Sequence, residues 1–269
     1  MSQEKIHPSA IIHDDAKLGE DVRVGAYAIV GKGAKIGNGC VLHAHAIVND
    51  GVVMGAENEV YPFAVIGGAP QDLKFEGEDV RCEIGDGNTF RESVTVHKGT
   101  KGGGGLTSIG NNNLFMAYCH IAHDDIINDH NVLANACQLA GHVEIGSHVV
   151  IGGISAVQQF VRLGDYAYIG GHSAIDRDWP PYCTGWGNRA RINGVNVIGL
   201  KRKGFSREKI RAIQEAQRIY FKMNLSHGEA LSQIEELSQD YDILVHFLDF
   251  IKSSKTGIIQ GRSHDSEKD

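Results

Sequence analysis

The sequence predicts a mainly β protein: a parallel β-helix of six-residue repeats over residues 1–192, followed by an α-helical domain over 193–256. Three observations carry that reading. Apolar residues recur at every sixth position through most of the chain, glycine supplies 34 of the 269 residues while proline supplies only 5, and beyond Lys203 the apolar spacing becomes that of a helix.

The repeat is explicit. Stepping by six from Ile6 meets Ile12, Leu18, Val24, Val30, Ile36, Leu42, Val48, Met54, Val60 and Ile66. The phase is lost after Gly68, returns at Ile84, Phe90 and Val96, and is lost again around Gly102 to Gly105. It restarts at Ile109 and runs through Phe115, Ile121, Ile127, Leu133, Leu139, Ile145, Ile151, Val157, Leu163, Ile169 and Ile175. A helix would scatter such anchors around its cylinder, because six residues turn it by about 600°. The residue four after each anchor is usually small (Ala16, Val22, Ala28, Ala34, Cys40, Ala46), so anchor and small residue face one way on a strand of period two. The residue just after each anchor is often Gly or Asn (Gly19, Gly25, Gly31, Gly37, Asn49), types that tolerate positive φ, and is expected to make the corner. Strands this short bury an interior only by stacking coil upon coil.

The pattern resembles the hexapeptide-repeat family, whose left-handed β-helix uses three hexads per coil. About nine coils would stand roughly 40 Å tall at the usual strand spacing. The phase breaks become projecting loops at about 69–83 and 100–108, the second reading as a flexible loop with the run KGGGGLT (Lys101 to Thr107). Beyond the repeat, Ser206 caps a helix carrying Ile210, Ile213, Ile219, Tyr220 and Met223, with Lys209 at N3 precluding a capping box. Ser226 and Glu229 form a true box for a second helix, and Tyr241 to Lys252 reads as a third. Residues 257–269 are expected to be a disordered tail.

No apolar run is long enough to span a bilayer, and Met1 to Ala10 lacks a signal-peptide core, so a cytoplasmic protein is expected. The five cysteines (Cys40, Cys82, Cys119, Cys137, Cys183) contain no C-x-x-C pair and read as reduced thiols. A net charge of −7 argues against a general nucleic-acid binder. From Arg177 to Lys222, however, eleven basic residues face three acidic ones, a local charge of +8 that leaves −15 on the remainder. That asymmetry points to an anionic partner.

Chemistry concentrates at His97, His120, His123 and His142. With 18 residues per coil, Gly141 falls one coil from His123, about 5 Å away. An imidazole that titrates near neutrality beside a peptide N–H free of any side chain suits acyl transfer, one group as base and the other as oxyanion donor. Zinc held by His120, His123 and His142 is the metal alternative. Two histidines three apart on a β-helix need not converge, and no metal is expected. Cys119 and Cys137 also differ by one coil and are expected to stack inside. The four-glycine run lacks the ending of a P-loop.

Six strings, QDLKF (Gln71 to Phe75), RESVTVHKGT (Arg91 to Thr100), HIAHD (His120 to Asp124), LAGHVEIG (Leu139 to Gly146), IGGISAVQQF (Ile151 to Phe160) and GVNVIGLKRKGFS (Gly194 to Ser206), resemble the UDP-N-acetylglucosamine 3-O-acyltransferase family of lipid A synthesis. The resemblance covers nearly the whole chain. It implies transfer of an (R)-3-hydroxyacyl group from acyl carrier protein to the sugar 3-hydroxyl, without a cofactor, by a cytoplasmic homotrimer with sites between neighbouring prisms. It implies His123 as general base, Asp124 as its orienting partner and the Gly141 N–H as oxyanion donor. Asp72, Lys74, His97, His120, His142, Gln159, Asn196, Arg202 and Lys203 match its substrate-contacting positions, with Asp72 and Lys74 serving a neighbour's His123. Gly171 matches the acyl-length ruler and implies a longer chain, with Gly170 beside it and Arg189 near the groove's end. Two departures stand out: Gln158 replaces a common histidine and cannot be protonated, and Lys203 replaces an arginine, keeping charge but losing the bidentate fork. Acidic acyl carrier protein is the partner the basic segment would steer.

Rival readings are the pathway's later N-acyltransferase, which carries a uridine-binding domain before its coils, whereas the repeat here begins at Ile6; a non-catalytic carrier-binding scaffold; and a γ-type carbonic anhydrase.

Overall fold

The computed structural model describes residues 5–262. Short strands, most of two residues and ending on an anchor of the hexad series, stack into three parallel sheets that close a left-handed triangular prism. The first sheet runs from Ile11–Ile12 to Ala174–Ile175 and contains, among the described residues, nine strands. The second runs from Lys17–Leu18 to Arg162–Leu163, and the third from Arg23–Val24 to Tyr168–Ile169 before a closing antiparallel hairpin, Cys183–Gly187 with Ala190–Val195.

Register follows the repeat wherever the repeat is unbroken. Ile11 pairs with Ile29 and Leu18 with Ile36, 18 residues apart. Across the first loop the offset is 30 (Val65 with Thr95) and across the second it is 25 (Thr95 with His120), so the loops insert 12 and 7 residues into single coils. Anchors and small residues line one continuous interior, including stacked Phe90 and Phe115, 5.1 Å between centroids, and the buried cysteines. Buried amides extend the packing: Asn58, Asn88, Asn113 and Asn131 each accept the N–H of the next coil's residue in their own column, at 2.7–2.9 Å.

The corners differ from expectation. Positive φ falls three residues after the anchor, at Asp21, Tyr27, Gly33, Gly39, His45, Asp124 and His142 among others, and, Gly67 apart, not on the glycine directly following it. That glycine answers a different constraint: a Cβ on Gly25 would lie 2.6 Å from Ala44 N in the next coil. Close coil packing, not turn geometry, selects glycine there.

The C-terminal domain holds four helices among the described residues: α1 (Val197–Arg202), α2 (Arg207–Lys222), α3 (His227–Ser238) and α4 (Ile243–Lys252). Ser206 caps α2 through Lys209 N, and Ser226 with Glu229 forms the box on α3. The closing hairpin and α1 follow no hexad and were not foreseen. Residues 257–262, expected in the disordered tail, instead bridge Ile258 to Asp178 and Gly261 to Ile192, burying Ile259; residues 263–269 lie outside the described residues. Asp178 anchors this seam, accepting from Arg162 Nε, Ser254 Oγ and Thr256 Oγ1. No helix among the described residues is long and apolar enough to cross a membrane.

Candidate active site

The corner between the first and second sheets carries the densest chemistry. Strand His120–Ile121 ends there, and the turn presents His123 and Asp124, 8 % and 5 % exposed. His123 Nδ1 lies 2.8 Å from Asp124 Oδ2. The same carboxylate accepts the Thr100 N–H at Oδ1, 2.8 Å, and the Thr100 hydroxyl at Oδ2, 2.6 Å, while Asp124 N donates to Thr107 Oγ1 at 2.8 Å. A carboxylate with these donors is an acceptor towards the ring, so Nδ1 carries a proton, and in the neutral ring the lone pair falls on Nε2.

Gly141 lies against that ring, as the coil spacing predicts. A Cβ built on it would fall 2.5 Å from His123 Cε1 and 2.7 Å from Nε2. Among the described residues the Gly141 N–H makes no hydrogen bond, whereas the adjacent His142 N–H is taken by His123 O at 3.0 Å. The exposed Gln159 continues the His123 and Gly141 column one coil on, with Gln158 beside it.

Three further imidazoles surround the pair. His97 and His120 meet edge to face, 4.7 Å between centroids, and His120 Nδ1 bonds Thr95 Oγ1 at 2.7 Å. Burial, with His120 and His123 as like-charged neighbours, pushes His97 down to about 4, and burial lowers His120 for the same reasons. Both are neutral at physiological pH. His142 stacks on Phe160 at 4.6 Å and lies 3.9 Å from Asp124 Oδ2. Burial depresses it too, opposed by Asp124 and by Asp72. Asp72 Oδ1 accepts Lys74 N at 3.0 Å, and between them Leu73 stands fully exposed at the loop tip. For a cation, His123, Asp124 and His142 offer ligand atoms within 4.8 Å of one another, a set without His120 in which Asp124 Oδ2 is already engaged by two donors.

The other sequence-predicted residues lie elsewhere on the prism. Asn196, Arg202 and Lys203 line a cleft of about 760 Å³ at the corner between the second and third sheets, with His148, Tyr166, Tyr168, Val197 and Ile198. Asn196 is engaged structurally: its Oδ1 caps α1 through Gly199 N and its Nδ2 donates to Tyr166 O, both 3.0 Å. Gly171 sits at the remaining corner, where a Cβ would meet Gly153 O at 3.1 Å, and Arg189 is held by Asp176 at 2.6 Å. One chain thus distributes the predicted site over three corners.

Sequence reasoning missed Thr100, Thr107, Gly103 and Phe160. The KGGGG run is a built part of the site: Lys101–Gly103 forms a 3₁₀ turn capped by Thr100, and a Cβ on Gly103 would collide with Asp124 and, at 2.5 Å, with His142 Cε1. The seven-residue insertion hid this, because only the offset of 25 puts Thr100 beside Asp124. Phe160 was legible, lying one coil from His142.

Comparison with known proteins places this architecture. A family model described as Udp N-acetylglucosamine O-acyltransferase, Domain 2, matches residues 178–259. Among solved structures, the UDP-N-acetylglucosamine O-acyltransferase of Moraxella catarrhalis is 44 % identical with a TM-score of 0.94, over 96 % of this chain and 100 % of its own. The LpxA protein of Acinetobacter baumannii is 40 % identical with a TM-score of 0.93, over 96 % and 100 %. The UDP-N-acetylglucosamine acyltransferase of Bacteroides fragilis is 37 % identical with a TM-score of 0.92, over 94 % and 99 %.

Proposed function

The chain belongs to the UDP-N-acetylglucosamine O-acyltransferase family, and from that premise we propose that it moves an (R)-3-hydroxyacyl group from acyl carrier protein to the sugar 3-hydroxyl, the first step of lipid A synthesis. The observation that carries the mechanism is the His123 ring, fixed by Asp124 through Nδ1 with Nε2 turned to Gly141.

His123 Nε2 takes the proton of the 3-hydroxyl as the oxygen attacks the thioester carbonyl. The carbonyl oxygen, now negative, accepts the Gly141 N–H. The C–S bond then breaks, the ester C–O bond remains, and the imidazolium returns its proton to the departing thiolate. Asp124 stabilises the imidazolium between the two steps, and neutral His97 and His120 add no competing positive charge. Base and oxyanion donor contribute about 10²–10⁴-fold and 10²–10³-fold respectively.

The histidine corner and the basic cleft lie on different corners of one prism, which supports a trimer whose sites draw on two copies. In it, Arg202 and Lys203 face the nucleotide phosphates or the carrier arm, and the basic C-terminal segment steers the acidic carrier. Such an enzyme works in the cytoplasm, where its two substrates occur.

The test is incubation of wild type and His123→Ala with UDP-N-acetylglucosamine and a ladder of (R)-3-hydroxyacyl carrier proteins, read by mass spectrometry. Acylated sugar from wild type alone is the expected result, and it reports chain length as well. Wild type without product on any carrier would remove the donor assignment, and equal product from the alanine variant would remove the base.

A further inference from the structure

One buried acid near the proposed site has no part in the chemistry above. Asp125 is 0 % exposed, inside the prism, and among the described residues no cation pairs with it. In its column the next two coils carry Val143 and Val161, both fully buried. A valine would therefore fill the space, and a buried carboxylate costs several kcal/mol of desolvation. Interior polar groups elsewhere in the prism include the asparagine ladder, each amide giving one oxygen to the next coil.

Asp125 does what an asparagine cannot, because both its oxygens accept. Oδ1 takes the N–H of Val143 at 2.8 Å, and Oδ2 takes the N–H of Ala122 at 3.0 Å. An amide in the same pose would turn its NH₂ towards one of these donors. Ala122 immediately precedes His123, and Val143 lies two residues beyond Gly141. Burial raises the Asp125 carboxyl well above the ordinary carboxylate range, opposed by these same two N–H groups.

We propose that Asp125 is a positioning residue: its carboxyl group fastens, from inside the prism, the turn that carries His123 to the coil that carries the Gly141 N–H, and so sets the distance between them. The proposal rests on the acyl-transfer reading and deepens it. A displacement of about 1 Å between reacting groups costs up to about 10²-fold in rate. Substrate contacts lie outside the prism, so the loss falls on kcat and not on KM.

The experiment compares wild type, Asp125→Val and Asp125→Asn in the acyl-transfer assay, with thermal unfolding of each. Asp125→Val, which copies the neighbouring coils, is expected to unfold near the wild-type temperature, keep KM for UDP-N-acetylglucosamine and lose ten- to a hundredfold in kcat. Asp125→Asn, keeping one acceptor, loses less. A valine variant with wild-type kcat, or a loss shared equally by kcat and KM, overturns the proposal. So does failure of both variants to fold, since Asp125 would then serve the fold alone. Wild type without product would instead remove the underlying acyl-transfer reading, a result distinct from an active wild type with an equally active valine variant.

Discussion

Replacing Gly141 by alanine adds a single methyl group at a crowded point of the proposed site, directly against the His123 ring. The new Cβ would stand 2.5 Å from His123 Cε1, 2.7 Å from Nε2 and 2.9 Å from Nδ1, whereas carbon contacts settle near 3.5–4 Å. An overlap of about 1 Å must be relieved. The backbone is no obstacle, for Gly141 is not among the positive-φ glycines. The ring, however, is pinned through Nδ1 to Asp124, and Asp124 is pinned to Thr100 by two bonds. The imidazole therefore swings off the line between hydroxyl and thioester. Overpacking of this kind costs about 1–3 kcal/mol of stability, and a 1 Å misplacement costs about 10²-fold in rate. Steady-state kinetics with UDP-N-acetylglucosamine and an acyl carrier protein should show kcat about 10²-fold down, in a protein that still unfolds cooperatively. A Gly141→Ala enzyme within about threefold of wild-type kcat would refute the placement of the reaction between His123 and Gly141.

Other consequences are equally concrete. Thr100→Val removes the hydroxyl bond to Asp124 Oδ2 but keeps the N–H bond; a charge-assisted bond of this kind contributes about 1.5–3 kcal/mol, so urea unfolding should report a loss in that range together with a lower kcat. His97, pushed down to about 4, binds fewer protons folded than unfolded between pH 4 and its ordinary value of 6.5, so stability must fall as pH drops through that window, by up to about 1.4 kcal/mol per pH unit. Thermal unfolding from pH 7 to pH 4 should show a shallower decline for His97→Gln, and an unchanged slope would contradict the assignment. Charge reversal at Arg202, Lys203 and Arg207 should raise KM for the carrier and flatten its salt dependence; if neither changes, electrostatic steering by this segment is wrong.

How far the sequence reaches can be judged residue by residue. His123 and Gly141 were paired by counting 18 residues, and the structure brings them into contact. Thr100 and Asp124 defeat the same count, because a seven-residue insertion lies between them and nothing local states that the offset has become 25. The glycines after the anchors were found but misexplained: a sequence shows the residue type, whereas the neighbouring coil that forbids a side chain is known only once the coils are stacked. Residues 257–262 depart from the expected disordered tail because two short bridges and the buried Ile259 hold them, and such long-range contacts leave no periodic trace.

The sequence by itself determined the prism and the anchors that fill it, because a strict period of six is one-dimensional information that local geometry converts directly into stacked coils. Only the tertiary structure decided what gathers at each corner: Thr100 and Gly103 join the histidines, while Asn196, Arg202, Lys203 and Gly171 go to other corners. The physical reason is that a coil's contents are set by its own residues, whereas a corner's neighbours depend on loop lengths and on chain segments that return from far along the sequence.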